Sequence, residues 1–285
     1  MILLLQFLLR LAFGLAVGMA LTSPSQVTSG YYRNHLYVTL GLTLLAALVS
    51  RAVAVTVFWP AMLAAGLSYV GAIFWLYEKP RAGVVCLWLV AGLVLLAAWL
   101  AFPDYSPESR LPESLAGETL VVAQGASSSP NLAEHPHHGG IGHGGFSQVL
   151  YGMVPVTSGL LLGFTLAAML LGHWYLNSPT MELEPLRRLI LAMAGALFLH
   201  GGVSAVGLWA NIDIGQEITT QWVLFLLLRW LFGLVGVSLL IWMAWQTLKI
   251  PNTQSATGIL YVAVIGTFVG ETMSLLLSSR SPFPL

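Results

Sequence analysis

The chain is written in long apolar runs separated by short polar breaks. A helix that crosses the hydrocarbon core of a bilayer needs about 20 mostly apolar residues, and eight runs approach or exceed that length. They cover residues 1–21, 35–49, 52–77, 81–102, 147–176, 185–210, 220–248 and 256–278. Pro60 and Pro155 fall inside runs, which lipid-embedded helices tolerate because neighbours re-satisfy the freed backbone groups. The pattern predicts an all-α integral membrane protein of about eight transmembrane helices. The first run has no charged leader, since its only charge is Arg10 in the middle, and Thr22-Ser23-Pro24 follows it instead of a small-x-small cleavage site. It is therefore expected to be a retained helix and not a signal peptide.

Composition agrees with the pattern. Hydrophobic residues make up 57% of the 285, charged residues 8%, and the formal net charge is zero. Mean hydropathy is +0.83. So few charges cannot cover a water-soluble globule of this size. No basic stripe is present to meet phosphates, which excludes nucleic-acid binding. The single cysteine, Cys86, excludes an intrachain disulfide framework, a Cys-rich zinc site, a self-held iron–sulfur cluster and covalently attached c-type haem. There is no Walker-type loop, GxSxG, HExxH or CxxC, so ATP coupling and a conventional catalytic triad have no support.

The distribution of Lys and Arg sets the expected orientation. With both termini outside, the inner loops hold Arg33, Lys79, Arg81, Arg187, Arg188 and Lys249, against Arg51, Arg110 and Arg280 outside. The polar stretch 103–146 is acidic, with Asp104, Glu108, Glu113, Glu118 and Glu134 against Arg110, and belongs outside. This is the arrangement expected of a multi-pass protein of a bacterial inner (cytoplasmic) membrane, with that stretch in the periplasm. Trp59, Trp75, Trp174, Trp209, Trp222 and Trp245 fall near span ends, as interfacial tryptophans do.

The two halves resemble each other. Ser23-Pro24-Ser25 leads to Arg33 as Ser178-Pro179-Thr180 leads to Arg188, and Gly66, Ser68, Trp75 and Lys79 match Gly236, Ser238, Trp245 and Lys249. The offset grows from 155 to 170 between the two blocks. An internal duplication is expected. Residues 1–102 then form a first four-helix half, 103–146 a flexible His-rich extracytoplasmic loop, and 147–285 a second four-helix half. The interface between such halves is where membrane proteins usually keep their sites.

Ionisable residues inside spans are expensive and normally face a partner or a cavity. Arg10, Arg229 and Glu271 lie seven to nine residues from the outer ends of the first, seventh and eighth runs. At 1.5 Å per residue all three sit about 10–14 Å below the outer surface. Two readings stand side by side. One is a structural ion pair between Arg229 and Glu271 that fixes helix register. The other is a site for a polar headgroup, in which two arginines against one carboxylate favour an electron-rich oxygen such as a quinone carbonyl, and Glu271 accepts or passes a proton. His200 lies at similar depth in the sixth run. It is either a fourth member of the site or a packing histidine bonded to a backbone carbonyl or to Ser204.

Other histidines carry separate expectations. His35 and His173 lie near the inner face and are candidate axial ligands of a b-type haem, or interfacial anchors. His135, His137, His138 and His143 fall within nine residues of the outer loop. They make a loose surface site for a divalent metal or a low-complexity tether.

The segments Leu228-Arg229-Trp230-Leu231-Phe232-Gly233-Leu234-Val235-Gly236 and Val269-Gly270-Glu271-Thr272-Met273 resemble the last two helices of the membrane-anchor, quinol-interacting subunits of dimethyl sulfoxide and polysulfide reductases. The resemblance implies two four-helix bundles with both termini outside. It also implies a role as anchor and quinol site for a catalytic subunit and an iron–sulfur subunit, with Arg229 and Glu271 at the family's polar positions. Met273, Leu275 and Leu276 stand where that family often has an arginine and aromatics. The leading expectation is thus a non-haem membrane subunit of a redox complex that interacts with quinone through Arg10, Arg229, His200 and Glu271. The alternatives are a metal or solute transporter with a histidine capture loop, and a b-type cytochrome using His35 and His173.

Overall fold

The computed structural model describes residues 1–102, 141–178, 181–213, 219–250, 252–279, 281 and 283–285, with side chains from 145 onward in the second stretch. Among the described residues there are eight helices long and apolar enough to cross a membrane. In chain order they are α1 (Ile2–Leu21), α2 (Ser29–Val53), α3 (Phe58–Leu76), α4 (Pro80–Leu100), α5 (Ile141–Asn177), α6 (Glu184–Asp213), α7 (Thr220–Lys249) and α8 (Thr253–Ser278). The protein is an all-α polytopic membrane protein.

Local chemistry explains the helix ends. Pro80 opens α4, where its missing N–H is one the helix leaves unpaired anyway. Glu78 takes a left-handed conformation, φ 55°, in the tight turn before it. The Thr219 side chain accepts from Trp222 N–H at 3.2 Å, and Asn252 accepts from Ser255 N–H at 3.0 Å, capping α7 and α8. The second helix is longer than the apolar run predicts. It begins at Ser29, because Tyr31 and Tyr32 bury their rings against Trp174 and Trp75. That packing holds a polar-looking segment helical and puts His35 in the second turn rather than at the helix mouth. The third run starts late, behind a 3₁₀ turn at Val55–Val57, and Arg51 closes α2 instead of lying in a loop.

Helices α1 to α4 pack as a ring in which each touches its sequence neighbour and α4 returns to α1. The most buried helices are α1 and α5, and the contact between them is made of glycine. A Cβ on Gly14 would fall 1.7 Å from the Gly159 carbonyl oxygen, and one on Gly163 would fall 1.8 Å from the Gly14 carbonyl carbon. One turn on, a Cβ on Gly18 would meet the Ala167 Cβ at 2.8 Å. Gly14 and Gly18 face Gly159 and Gly163, so two small-xxx-small stripes cross backbone to backbone. Lipid tails are as apolar as leucine, so helices in a bilayer gain by close van der Waals approach of this kind and not by expelling water. At one end of the bundle, residues after the first Ser-Pro step meet residues that flank the second. Gln26 Nε2 donates to Glu182 Oε2 at 2.6 Å, and Trp174 Nε1 donates to Thr28 Oγ1 at 2.9 Å.

This seam makes a direct prediction. Gly163→Ala forces the two helices apart and should lower stability by about 3 kcal/mol, the upper end for overpacking a close-packed contact. Gly92, on α4, has nothing within 4 Å of where its Cβ would stand. Gly92→Ala should be neutral or stabilising by about 1 kcal/mol. Unfolding of the purified variants in mixed micelles checks both. Equal stabilities would refute the glycine seam.

Candidate functional site

The polar interior of the bundle is built from α1, α5, α6, α7 and α8. Arg229, Glu271, His200 and Arg10 are 1%, 2%, 1% and 3% exposed. Arg229 begins a π-helical segment, Arg229–Gly236, inside α7. A π turn widens the helix and re-aims its side chains, and such turns recur at functional positions. Here it sets Gly233 against Gly270 of α8, where a Cβ on either would lie 2.6 Å or less from the other's Cα. The two backbones therefore touch. That approach lets Arg229 Nη1 donate to the Gly270 carbonyl at 3.3 Å and stand 3.9 Å from Glu271 Oε1.

His200 completes the set. Its Nε2 is 2.6 Å from Glu271 Oε1 and 2.9 Å from Arg229 Nη2, and Nδ1 is 3.1 Å from Thr157 Oγ1. The guanidinium also donates to the Ser204 hydroxyl, one helical turn from His200, and that hydroxyl donates to the His200 carbonyl at 2.9 Å. The Thr157 hydroxyl lies 3.2 Å from the Met153 carbonyl. Donating there leaves its oxygen to accept from Nδ1–H of His200. The imidazole then carries a proton on Nδ1 and turns Nε2 toward the carboxylate. The 2.6 Å contact consequently sets an imidazole nitrogen and a carboxylate oxygen close enough to share a proton.

Arg10 joins from α1. Its Nη1 donates to Ser158 Oγ at 3.3 Å and its Nε to Gln6 Oε1 at 3.3 Å, while Gln6 Nε2 donates to the Ala98 carbonyl at 3.0 Å. Ser158 follows Thr157, so Arg10 is tied to the stretch of α5 that also meets His200. The structure thus joins Arg229, His200 and Glu271 in one network and ties Arg10 to the neighbouring residue of α5. It also draws in Thr157, Ser158, Ser204 and Gln6. Ser204 was flagged only as a partner of His200, and the other three are ordinary span residues in the sequence, with no charge or spacing that marks them. Two atoms of the network have no hydrogen-bond partner although they are buried: Arg229 Nε, a donor, and Glu271 Oε2, an acceptor.

The remaining candidates lie apart. His35 Nδ1 is 2.5 Å from the Tyr31 carbonyl, with its ring 4.3 Å from Tyr31 and 6.2 Å from Trp174. His173 Nδ1 is 3.2 Å from the Tyr261 hydroxyl. Each has its Nδ1 engaged, and both sit toward the end of the bundle away from Glu271. His135, His137 and His138 lie outside the described residues, as does the side chain of His143. Among the described residues no group of three or more His, Cys, Asp or Glu stands close enough to hold a metal ion. Compared with known proteins, the chain matches no family model, no curated protein and no solved structure.

The ion network makes its own stability prediction. Removing one partner of a buried charge pair leaves the other uncompensated and costs about 3–5 kcal/mol. Arg229→Ala should therefore destabilise by about that much. The double variant Arg229→Met, Glu271→Leu should regain most of it, because neither charge is then stranded. A double-mutant cycle measured by denaturant titration in micelles checks this, and strict additivity would refute the pairing.

Proposed function

We propose that this protein is a membrane subunit of a redox complex, and that the Arg229–His200–Glu271 network holds the headgroup of a quinone or quinol. The observation that carries the reading is the pair of unpartnered buried atoms, Arg229 Nε and Glu271 Oε2. One is a donor and the other an acceptor, and a buried group of either kind left unpaired is costly. A phenolic hydroxyl offers the complement of each, an acceptor oxygen and a donor O–H. Its oxygen accepts from Nε–H, and its proton goes to the carboxylate.

The chemistry of oxidation follows from the same contacts. A quinol that loses two electrons and two protons becomes the quinone. Glu271 and His200 are placed to take a proton from the hydroxyl, since the short Oε1–Nε2 contact lets a proton gained at the carboxylate be shared with the imidazole. Arg10 and Arg229 stabilise the negative oxygen that forms as the proton leaves. Both electrons pass to a redox centre of a partner subunit, which is the oxidant in this scheme, and the proton of the second hydroxyl passes to water. Orientation as expected from the basic loops sets the site toward the periplasmic side of a bacterial inner membrane.

The lipid-facing surface fits an amphiphile. A furrow of about 530 Å³ lies between α6 and α7, lined by Ala194, Leu197, Gly201, Trp230, Leu234 and Ile241 among others. Gly201 follows His200 and Trp230 follows Arg229, so the furrow passes the depth of the ions. From there it runs toward Ala194 and Ile241 and the middle of the bilayer. That is the disposition needed by a polar ring with an apolar tail.

Decylubiquinone titrated against the purified protein in nanodiscs tests the proposal. Quenching of tryptophan fluorescence should saturate, and Glu271→Gln and Arg229→Lys should each weaken binding at least tenfold while leaving the protein monodisperse. Non-saturating quenching that is the same in all three proteins would remove the quinone reading.

A further inference from the structure

Beyond α8 the described residues 281 and 283–285 stay in the bundle. Ser281 is 0% exposed, Phe283 3% and Leu285 2%. Three donors on three helices hold this segment by its backbone carbonyls. Tyr151 Oη on α5 donates to the Ser281 carbonyl at 2.7 Å, Asn211 Nδ2 on α6 donates to the Phe283 carbonyl at 3.1 Å, and Ser274 Oγ on α8 donates to the Leu285 carbonyl. Two backbone amides are also met, Phe283 N–H by Asn211 Oδ1 at 3.4 Å and Leu285 N–H by Ser278 Oγ at 3.0 Å. The Phe283 ring fills an apolar cluster of its own with Leu150, Val154, Val203 and Ala210, separate from the main core. Gly207 makes the fit possible, since a Cβ there would fall 1.8 Å from the Pro284 carbonyl oxygen.

The position of this segment gives it meaning. Val154 is three residues before Thr157, Val203 three after His200, and Ser274 three after Glu271. On each of the three helices the residue that meets the segment is thus one turn, about 5 Å, nearer the bundle end than the residue that forms the ion network. The donors Tyr151 and Asn211 lie one to two turns further out. The segment therefore stands directly over the network, between it and the end of the bundle where α6 and α8 finish. Among the described residues, Tyr151, Asn211, Ser274 and Ser278 are the hydrogen-bonding groups that the segment covers.

We propose that residues 281–285 are a built-in plug that closes the aqueous route to the Glu271–His200–Arg229 network and, when displaced, opens it to water. The plug is held by carbonyl-directed hydrogen bonds and one aromatic ring, which are contacts that can be exchanged for water without breaking a helix. Closed, it confines the network to ligands that arrive through the bilayer. Open, it gives the carboxyl and imidazole a path for protons. Its role as a regulator rests on the reading of the network as a headgroup and proton site, whereas the seal itself does not.

Thiol accessibility tests the seal alone. In a Cys86→Ala background, Val203→Cys places a reporter beneath the plug. In nanodiscs a charged, membrane-impermeant methanethiosulfonate should leave it unmodified on the assay timescale. Deleting 281–285, or introducing Gly207→Ala, should raise the modification rate at least tenfold in protein that remains monodisperse. If the deleted chain does not fold, Gly207→Ala decides, because alanine suits the α6 helix and disturbs only the Pro284 contact. A rate that is fast in the intact chain, or slow and unchanged in folded Gly207→Ala, overturns the proposal. Decylubiquinone binding on the same preparations separates the two ideas: a seal that opens on cue in a protein that binds no quinone keeps the plug and discards the headgroup reading.

Discussion

An ionised side chain in hydrocarbon has to find its partners within the protein, because no water is there to supply them. Arg10, Arg229 and Glu271 therefore dictate how five helices meet. Glu271 reaches a positive charge only if α7 and α8 touch, and they touch only because Gly233 and Gly270 leave no side chain between them. His200 reaches the carboxylate only if α6 presents the face that also carries Ser204. Arg10 arrives from α1, which the Gly14–Gly163 crossing presses against α5, and α5 supplies Ser158 and Thr157. Each glycine contact thus positions an ion, and the two devices are one design.

Arg10, Arg229 and Glu271 are buried in the interior with the His200 imidazole. Apolar residues in place of a buried pair are often neutral or stabilising, so stability alone does not account for the network. The network also departs from full satisfaction at Arg229 Nε and Glu271 Oε2, whereas the threonine and serine hydroxyls around it bond neatly to carbonyls one turn back on their own helices. The Arg229–Glu271 pair and its two unpartnered atoms fall where the π segment of α7 begins. Charge and unmet hydrogen bonding concentrated at one point suit a polar ligand. The segment 281–285 lies over that point and supplies carbonyls to donors that would otherwise face water.

The membrane architecture was legible in the order of the residues. Apolar runs of spanning length, few charges and Pro80 at a helix start are local properties, and the bilayer forces every such run to satisfy its own backbone as a helix. The ions were legible for the same reason, since a charge in an apolar run stands out and its depth can be counted at a fixed rise per residue. Arg229, Glu271, His200 and Arg10 could be placed at one level before any contact was known.

What the sequence could not give was rotation about each helix axis. A depth says nothing of which face a residue presents, and that is decided by how neighbours pack. Thr157 and Ser158 look like any hydroxyls in a span until α5 turns them toward His200 and Arg10. Gly14, Gly18, Gly159 and Gly163 are scattered small residues until two helices cross on them. Ser281 to Leu285 read as a loose tail until Tyr151, Asn211 and Ser274 converge on its carbonyls. One-dimensional order fixes what must lie in the bilayer and how deep, because transfer from water to lipid acts on each residue separately. Only the tertiary structure decides which groups meet, because contact depends on several helices at once.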